Sequence, residues 1–478
     1  MTNFIIWTCM DFQANLLIRP LGAYQLSSWL TGHGYTVKVI DFCHRLTTNQ
    51  LVYITLKHTD QHTIGIGVSS TFWKAGIALR DDKKTAIDYH EPEWVINARV
   101  RIDSKFQHLK WILGGANAGY FRQSKFDWTV INGYAEDSIL KLLDEFSNKK
   151  SQSTFNITNQ QAAFTNIDNI QSHEVLPIEI SRGCQFKCNF CRFSLLGKKK
   201  NSYMRNFCIV EQELRDNYNK FGVTRYMIVD DTVNESEEKI TALAEIAQRL
   251  PFKFEWVGYN RLDIIGAKQH TMSILKDSGL KSAYFGIESF HKDASKIAGK
   301  PWIGTYGKEF LLQLKEYWGN DINFFLSFIV GLGNETKQDI LDTNDWCIQN
   351  NVASWIFHPL GISRHPNLVT PSIFDLNYAD YGYRFPNPIN DHYWENDTWN
   401  WKSAKEFVQI LDQNPGRGRA ARPLRGDKPA AYYLAALAST TGMSFSELMV
   451  INARDLDWGN IRHVTDIFLQ EYVEQNLK

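Results

Sequence analysis

An α/β fold is predicted: a doubly wound N-terminal domain, a partial (βα)6 barrel, and a helical C-terminal region. Three observations carry this. Apolar runs of strand length alternate with amphipathic helical stretches through most of the chain, the pattern of parallel sheets. Many of these runs end in small or polar residues, where parallel strands feed ligand-bearing turns. A length of 478 residues also exceeds one ordinary core, so more than one domain is expected.

The N-terminal elements follow in order. Phe4–Cys9 is an apolar strand, Leu21–Thr31 has helical spacing and stops at Gly32-His33-Gly34, and Tyr35–Asp41 alternates as a strand. Thr63–Ser70, Trp111–Gly115 and Asp127–Asn132 are further strands, and Asp137–Phe146 is an amphipathic helix. Ser69, Ser70, Gly114 and Gly115 would then lie at carboxyl strand ends, where doubly wound sheets bind ligands. This domain spans 1–150. Residues 151–172, rich in Asn, Gln, Ser and Thr, are expected as a linker.

Residues 173–360 alternate again. Leu176–Ser181, Arg225–Asp230, Phe254–Gly258, Ser282–Ile287, Asn323–Val330 and Ser354–His358 are candidate strands, with helices such as Ser236–Leu250 and Thr336–Asn350 between them. Barrel chemistry collects at C-terminal strand ends, here Arg182-Gly183-Cys184, Asp230-Asp231-Thr232, Glu288-Ser289 and Gly331. Residues 361–478 are aromatic, then helical. Ser444 and Glu447 form a capping box, and Trp458–Leu477 reads as a helix. Tyr393–Trp401 is dense in aromatics and reads as core. Arg417, Arg419, Arg422, Arg425 and Lys428 read as a solvated loop, or as a clamp for a carboxylate or phosphate.

Composition excludes several classes. Hydrophobic content of 44% and charge of 22% are globular values, not those of a disordered chain. Fifty-two basic and 52 acidic side chains leave no net field to attract nucleic acid or anionic lipid, so neither partner is expected. No apolar run approaches the roughly 18 residues of a membrane span. Met1–Gln13 holds no Lys or Arg, and its apolar stretch is too short for a signal peptide, so a cytoplasmic protein is expected.

Of seven cysteines, Cys9, Cys43, Cys208 and Cys347 stand alone and read as small buried hydrophobes. Cys184, Cys188 and Cys191 form Cys-x3-Cys-x2-Cys directly after the first barrel strand. Three thiolates on one loop can hold three irons of a [4Fe–4S] cubane and leave the fourth iron open to a substrate. A closed zinc site wants four ligands, and Cys208 or a distant His could supply the last, so zinc stays open on spacing alone.

With the later strand ends, this loop resembles the radical S-adenosylmethionine (radical SAM) enzymes. The stretch Tyr226–Asn234 (YMIVDDTVN) looks like the second-strand motif of members that carry a cobalamin domain. Tyr284–Ser289 (YFGIES) looks like their fourth-strand motif, and Ser327–Thr336 (SFIVGLGNET) their fifth, with Gly333-Asn334 replacing the usual Pro-Gly. The resemblance implies that Cys184, Cys188 and Cys191 ligate the cluster and that Phe190 packs on the adenine. It implies that Asp230 or Asp231 accepts from the α-ammonium, that Glu288 and Ser289 bond the ribose or amino-acid part, and that Ile329 flanks the adenine. Electron transfer to the bound sulfonium would release a 5′-deoxyadenosyl radical.

The first domain resembles the Rossmann-like cobalamin-binding domain of such enzymes, on Arg19-Pro20-Leu21-Gly22, Gly65–Ser70, Leu113-Gly114-Gly115 and Asn132–Glu136. Arg19, Gly22, Ser69, Ser70, Gly114, Gly115, Tyr134 and Glu136 are the implied cobalamin contacts. Where that family places an Asp-x-His-x-x-Gly loop, this chain reads Leu17-x-Arg19-x-x-Gly22, and a guanidinium has no lone pair for cobalt. Cobalamin would therefore bind without a lower ligand from this loop. The implied activity is radical methylation of an unactivated centre in a small molecule, driven by a reductant such as flavodoxin or ferredoxin. Two other readings remain: a cobalamin-independent radical rearrangement, cyclisation or oxidation, and a non-catalytic, metal-stabilised binding protein. No catalytic residue is assigned.

Overall fold

The computed structural model describes residues 2–10, 16–71, 73, 76–79, 85–88, 91–115, 117–121, 126–151, 154–192, 203–301, 303–352, 354–365, 368, 370–387, 391–412, 431–451 and 455–477. The basic run of Arg417, Arg419, Arg422, Arg425 and Lys428 falls outside them.

The N-terminal strands are β1 (Phe4–Trp7), β2 (Val37–Ile40), β3 (Gly65–Ser69), an antiparallel hairpin of β4 (Gly76–Leu79) and β5 (Thr85–Asp88), β6 (Lys110–Gly114) and β7 (Thr129–Val130). Apart from the hairpin they form one parallel sheet in the order β2-β1-β3-β6-β7. All four residues of β1 are buried, as a central strand covered on both faces requires. The strand order reverses between β1 and β3, which opens a crevice at their carboxyl ends.

The second sheet is parallel and sequential: β8 (Val175–Ile178), β9 (Arg225–Ile228), β10 (Glu255–Asn260), β11 (Leu280–Glu288), β12 (Asn323–Val330) and β13 (Ser354–Pro359). Among the described residues β8 and β13 do not pair, so the sheet is a partial (βα)6 barrel. Strand alternation sets its two faces. Tyr226, Ile228 and Trp256 join the core under the outer helices, whereas Val175, Met227 and Val257 point into the lumen. The predicted helices appear with capped starts. Ser236 caps Glu237–Arg249, and Thr336 forms a capping box with Asp339 ahead of Lys337–Gln349.

Three features go beyond the sequence reading. Helices also occupy Thr48–Lys57, Glu93–Asp103 and Phe207–Phe221. The stretch expected as a linker holds two short 3-10 turns and is pinned on both sides: the Ala163 amide donates to Ser28 Oγ and the Ala162 amide to Glu213. Most consequentially, the helix Ala431–Thr441 enters the barrel and touches β8 to β12. Its sequence, AYYLAALASTT, is apolar on nearly all sides, as full burial demands. Ser439 near its end accepts from the Val175 amide at the start of β8, while Tyr432 in its first turn meets Tyr259 near the end of β10. The helix therefore runs antiparallel to the strands, with its N-terminus toward the barrel mouth. The terminal helix Trp458–Leu477 returns to the first domain, where Tyr472 Oη accepts from the Asp41 amide at 2.8 Å.

Candidate functional site

The cysteine loop leaves β8 through Gly183, whose φ of 88° suits glycine. Side chains on either side pin it. Gln185 donates to the Glu235 carbonyl at 2.6 Å, and Asn189 spans three partners. Its amide and Nδ2 donate to the Ala298 and Ile297 carbonyls at 2.9 and 2.8 Å, and its own carbonyl accepts from Phe374. Arg192, next to Cys191, forms a two-pronged pair with Asp375 at 2.8 and 3.0 Å.

Cys184 and Cys188 are buried and Cys191 is half-buried. Thr232 Oγ1 lies 3.4 Å from Cys184 Sγ, and Arg261 Nη1 donates to Cys188 Sγ at 3.5 Å. Arg261 also stacks 4.0 Å from the Phe186 ring and pairs with Asp263. The guanidinium can donate to negative sulfur, as suits a thiolate ligand, while the Thr232 hydroxyl donates to the Asp231 carbonyl at 2.7 Å and lies beside the other sulfur. Sequence reasoning missed Arg261, because only folding carries the start of the helix after β10 to this loop. Among the described residues no three His, Cys, Asp or Glu side chains converge as around a single ion. A cubane presents separate corners, so its thiolates need not meet at one point.

The two aspartates after β9 part ways. Asp230 is 1% exposed and fully engaged, taking the amides of Ile180 and Ser181, the Ser181 hydroxyl and Lys239 Nζ at 2.6–2.8 Å. Asp231 is half-buried, and its carboxylate has no hydrogen-bond partner among the described residues. Burial first, then the nearby carboxylates of Asp230 and Glu179, push its pKa up to about 7.

Glu288 sits at φ 66°, uncommon for a residue with a side chain, just past a register shift between β11 and β12. Its carboxylate accepts from Lys300 at 2.8 Å, and a Cβ on Gly286 would fall 2.4 Å from it. Ser289 serves the chain itself: its hydroxyl donates to Glu335 at 2.5 Å and accepts from the His291 amide. Ile329 is buried at the end of β12, and Phe190 is half-buried with Lys300 Nζ 5.9 Å from its ring. The irregular Gly333-Asn334 turn is held from the C-terminal region. Tyr383 Oη donates to the Gly331 carbonyl at 2.9 Å, and Asn396 Nδ2 donates to the carbonyls of Gly331 and Gly333. Trp394 and Trp399 nearby are buried, as expected for core.

A second region lies in the N-terminal crevice, a cavity of about 410 Å³. Arg19, Gly22, Ser69, Gly114, Gly115, Tyr134 and Glu136 line it together with apolar side chains such as Ile6, Leu26 and Ile139. Above Gly22 and Gly114 there is open space, so a flat ring could approach the backbone there. Gly115, at φ 94°, could not carry a Cβ, which would meet Thr71 at 2.5 Å. Ser70 is absent from this lining; it is fully buried, and its amide and hydroxyl both donate to the Gly114 carbonyl.

Arg19 faces the cavity but is committed elsewhere. It is 1% exposed and donates to both Glu174 oxygens at 2.7 and 3.0 Å, to Tyr24 Oη and to the Asn169 carbonyl. Glu174 and Tyr24 hold the guanidinium charged against the cost of burial. The far wall belongs to the barrel: Glu179, Arg182, Met227 and Val229 line the same cavity. Met227 is a lumen-side residue, so the crevice and the open side of the barrel share a wall.

Residues 178–347 match the Radical SAM superfamily. The barrel carries a radical SAM domain. Members of this superfamily use a [4Fe–4S] cluster and S-adenosylmethionine. The chain also resembles, at 27% identity over 180 residues, the anaerobic magnesium-protoporphyrin IX monomethyl ester cyclase of Cereibacter sphaeroides, covering 37% of this chain and 29% of that protein. An uncharacterized methyltransferase of Pyrococcus horikoshii is 24% identical over 191 residues, covering 37% of this chain and 40% of that one. The matched stretch therefore spans well under half the length of either relative. Among solved structures, the radical SAM methyltransferase TsrM of Kitasatospora setae, seen with tryptophan and an S-adenosylmethionine analogue, superposes with a TM-score of 0.63. Identity is 12%, over 98% of this chain and 99% of that one. The cobalamin-dependent enzyme OxsB gives a TM-score of 0.52 at 14% identity, covering 80% and 56%. At such identities the likeness is one of fold: this chain shares their pairing of an N-terminal parallel-sheet domain with a partial barrel. No described helix is long and apolar enough to cross a membrane.

Proposed function

We propose that this radical SAM enzyme binds cobalamin in the N-terminal crevice and methylates an unactivated centre of a small molecule. The observation that carries this reading is the shared wall, where Met227, Val229 and Glu179 of the barrel close a cavity built from N-terminal strand ends. A group held there would face substrate in the lumen. Cys184, Cys188 and Cys191 would hold the cluster, with Arg261 supporting the Cys188 sulfur. Asp231, rather than the engaged Asp230, would take the α-ammonium of S-adenosylmethionine. Bound in place, the cluster and S-adenosylmethionine would supply a 5′-deoxyadenosyl radical, and cobalamin a transferable methyl group. The chain's own contribution is to orient both and keep water from the lumen. A reductant such as flavodoxin or ferredoxin, and a cytoplasmic setting that keeps thiols reduced, complete the reading.

The reading is tested by anaerobic reconstitution with cobalamin, desalting, and incubation with deuterated methyl donor and a metabolite extract. Retained corrin absorbance and a product shifted by the deuterated methyl group support it. No retained corrin, or no labelled product, overturns it. Because Arg19 has no lone pair for cobalt, the cob(II)alamin spectrum should lack nitrogen superhyperfine splitting, and its presence would reveal a lower ligand.

The Asp231 assignment makes a pH prediction. Only the ionised carboxylate attracts an ammonium, and with a pKa of about 7 the ionised fraction rises about tenfold from pH 6 to 8. S-adenosylhomocysteine should bind correspondingly tighter over that range, as read by anaerobic titration, and Asp231→Asn should flatten the profile. A flat profile in the unsubstituted protein removes Asp231 from the role.

A further inference from the structure

The lumen carries an aromatic surface that the cofactor roles above leave unused. Tyr259 on β10 and Tyr284 on β11 lie with ring centroids 4.4 Å apart at 67°. Tyr432, from the helix that plugs the barrel, is 4.8 Å from Tyr259 and 6.3 Å from Tyr284. Phe325 on β12 extends the set, 4.8 Å from Tyr284. Strand alternation places all three strand residues on the lumen side: Tyr259 follows Val257, which packs on the plug helix, by two positions, and Tyr284 and Phe325 face each other in register. Below this layer the lumen is filled by Leu434, Leu437, Val175, Met227 and Val257. Above it stand Asp231 and Glu288 at the strand ends.

The layer is not sealed core. All three tyrosines are only partly buried, although their strands and helix lie inside the barrel. The hydroxyls of Tyr259 and Tyr432 have no hydrogen-bond partner among the described residues. Neither ring is sealed from its surroundings, so both hydroxyls are placed to bond a group that enters the lumen.

We propose that Tyr259, Tyr284 and Tyr432 form the floor of the substrate pocket and select a planar aromatic ring with a hydrogen-bonding group at its edge. Tilted tyrosines present both faces and edges, and a flat ring gains offset or edge-on contact that a puckered one cannot match. Such contacts are worth more than area burial alone. The inference rests on the lumen being the reaction chamber, and it names the substrate class for that chamber.

The test uses the anaerobically reconstituted full chain and a matched pair of probes, 2-phenylethylamine and 2-cyclohexylethylamine, which differ in ring planarity. Binding is read by equilibrium dialysis and by saturation-transfer NMR. The planar amine should bind at least fivefold more tightly. Tyr432→Leu should erase the preference, Tyr432→Phe should keep it within about twofold, and Tyr306→Leu, an exposed ring outside the barrel, should leave it unchanged. Equal binding of the two amines, no binding of either, or a preference that survives Tyr432→Leu overturns the proposal. Thermal melts of each variant separate a lost floor from a lost fold. Reductive cleavage of S-adenosylmethionine is measured beside it: intact cleavage without ring preference sinks only the floor, and ring preference without cleavage sinks only the enzymatic reading.

Discussion

Changing Cys184, Cys188 or Cys191 to alanine should each abolish reductive cleavage of S-adenosylmethionine, while Cys208→Ala should not. Each of the three sulfurs would occupy its own corner of the cluster, and the loop offers no replacement. Asn189, Gln185 and Arg192 fix the backbone between them, so it cannot slide another residue into place. Loss of a supporting hydrogen bond at a metal site costs about 10- to 100-fold in affinity or activity, and loss of a ligand should exceed the upper figure. Iron content, Mössbauer spectra and 5′-deoxyadenosine formation give the readout. Cys208 is exposed at the start of an outer helix, and its removal should leave all three unchanged. Full iron loading and full cleavage in any of the three variants would remove that cysteine from the cluster. A zinc spectrum in the unsubstituted protein would remove the cluster altogether.

Arg182→Met is expected to be the most damaging single change to stability. The guanidinium is 7% exposed and joins both halves of the molecule. It donates to Glu136 at 2.6 Å and Gln25 at 2.7 Å in the first domain, and to Glu179 at 3.0 Å in the barrel. It also lies 4.5 Å from the centroid of the Tyr134 ring. Methionine would fill much of the volume but leave Glu136 and Glu179 without their cation. Breaking a buried pair in this way costs about 3–5 kcal/mol. Denaturant unfolding should show that loss, and a second change, Glu136→Gln, should restore part of it by removing one stranded charge. Corrin retention should fall in parallel, because Tyr134 and Glu136 line the crevice. An Arg182→Met protein as stable as the parent would show that the domains are held by other contacts.

The sequence revealed the parts of this molecule that depend on local pattern. Strand positions follow from apolar runs, the cysteine loop from its spacing, and helix starts from Ser236, Thr336 and Ser444, each confirmed as a cap. It was silent where the answer lies across the fold. Asp230 and Asp231 look alike in a string, but only the fold shows that one pairs with Lys239 while the half-buried carboxylate of the other has no hydrogen-bond partner among the described residues. The plug helix has no polar face, so its hydrophobicity shows no period to announce that it fills a barrel. Arg182 reads as a strand-end charge, and only tertiary contact shows that it binds two domains. Ser70 reads like Ser69 in the sequence, but it turns inward and bonds the Gly114 carbonyl.

The returning C-terminal helices have a consequence for synthesis. The Leu17 amide waits for Thr440, and the Asp41 amide for Tyr472, across more than four hundred intervening residues. A ribosome adding roughly 5–20 residues per second needs about 20–80 s to make that stretch. Throughout that interval the first sheet lacks its final brace, and from the completion of β13 until Ala431–Thr441 is made the barrel has no stopper. Apolar walls therefore stay wet until the helix Ala431–Thr441 has been made, and folding of the barrel cannot be completed before that segment arrives.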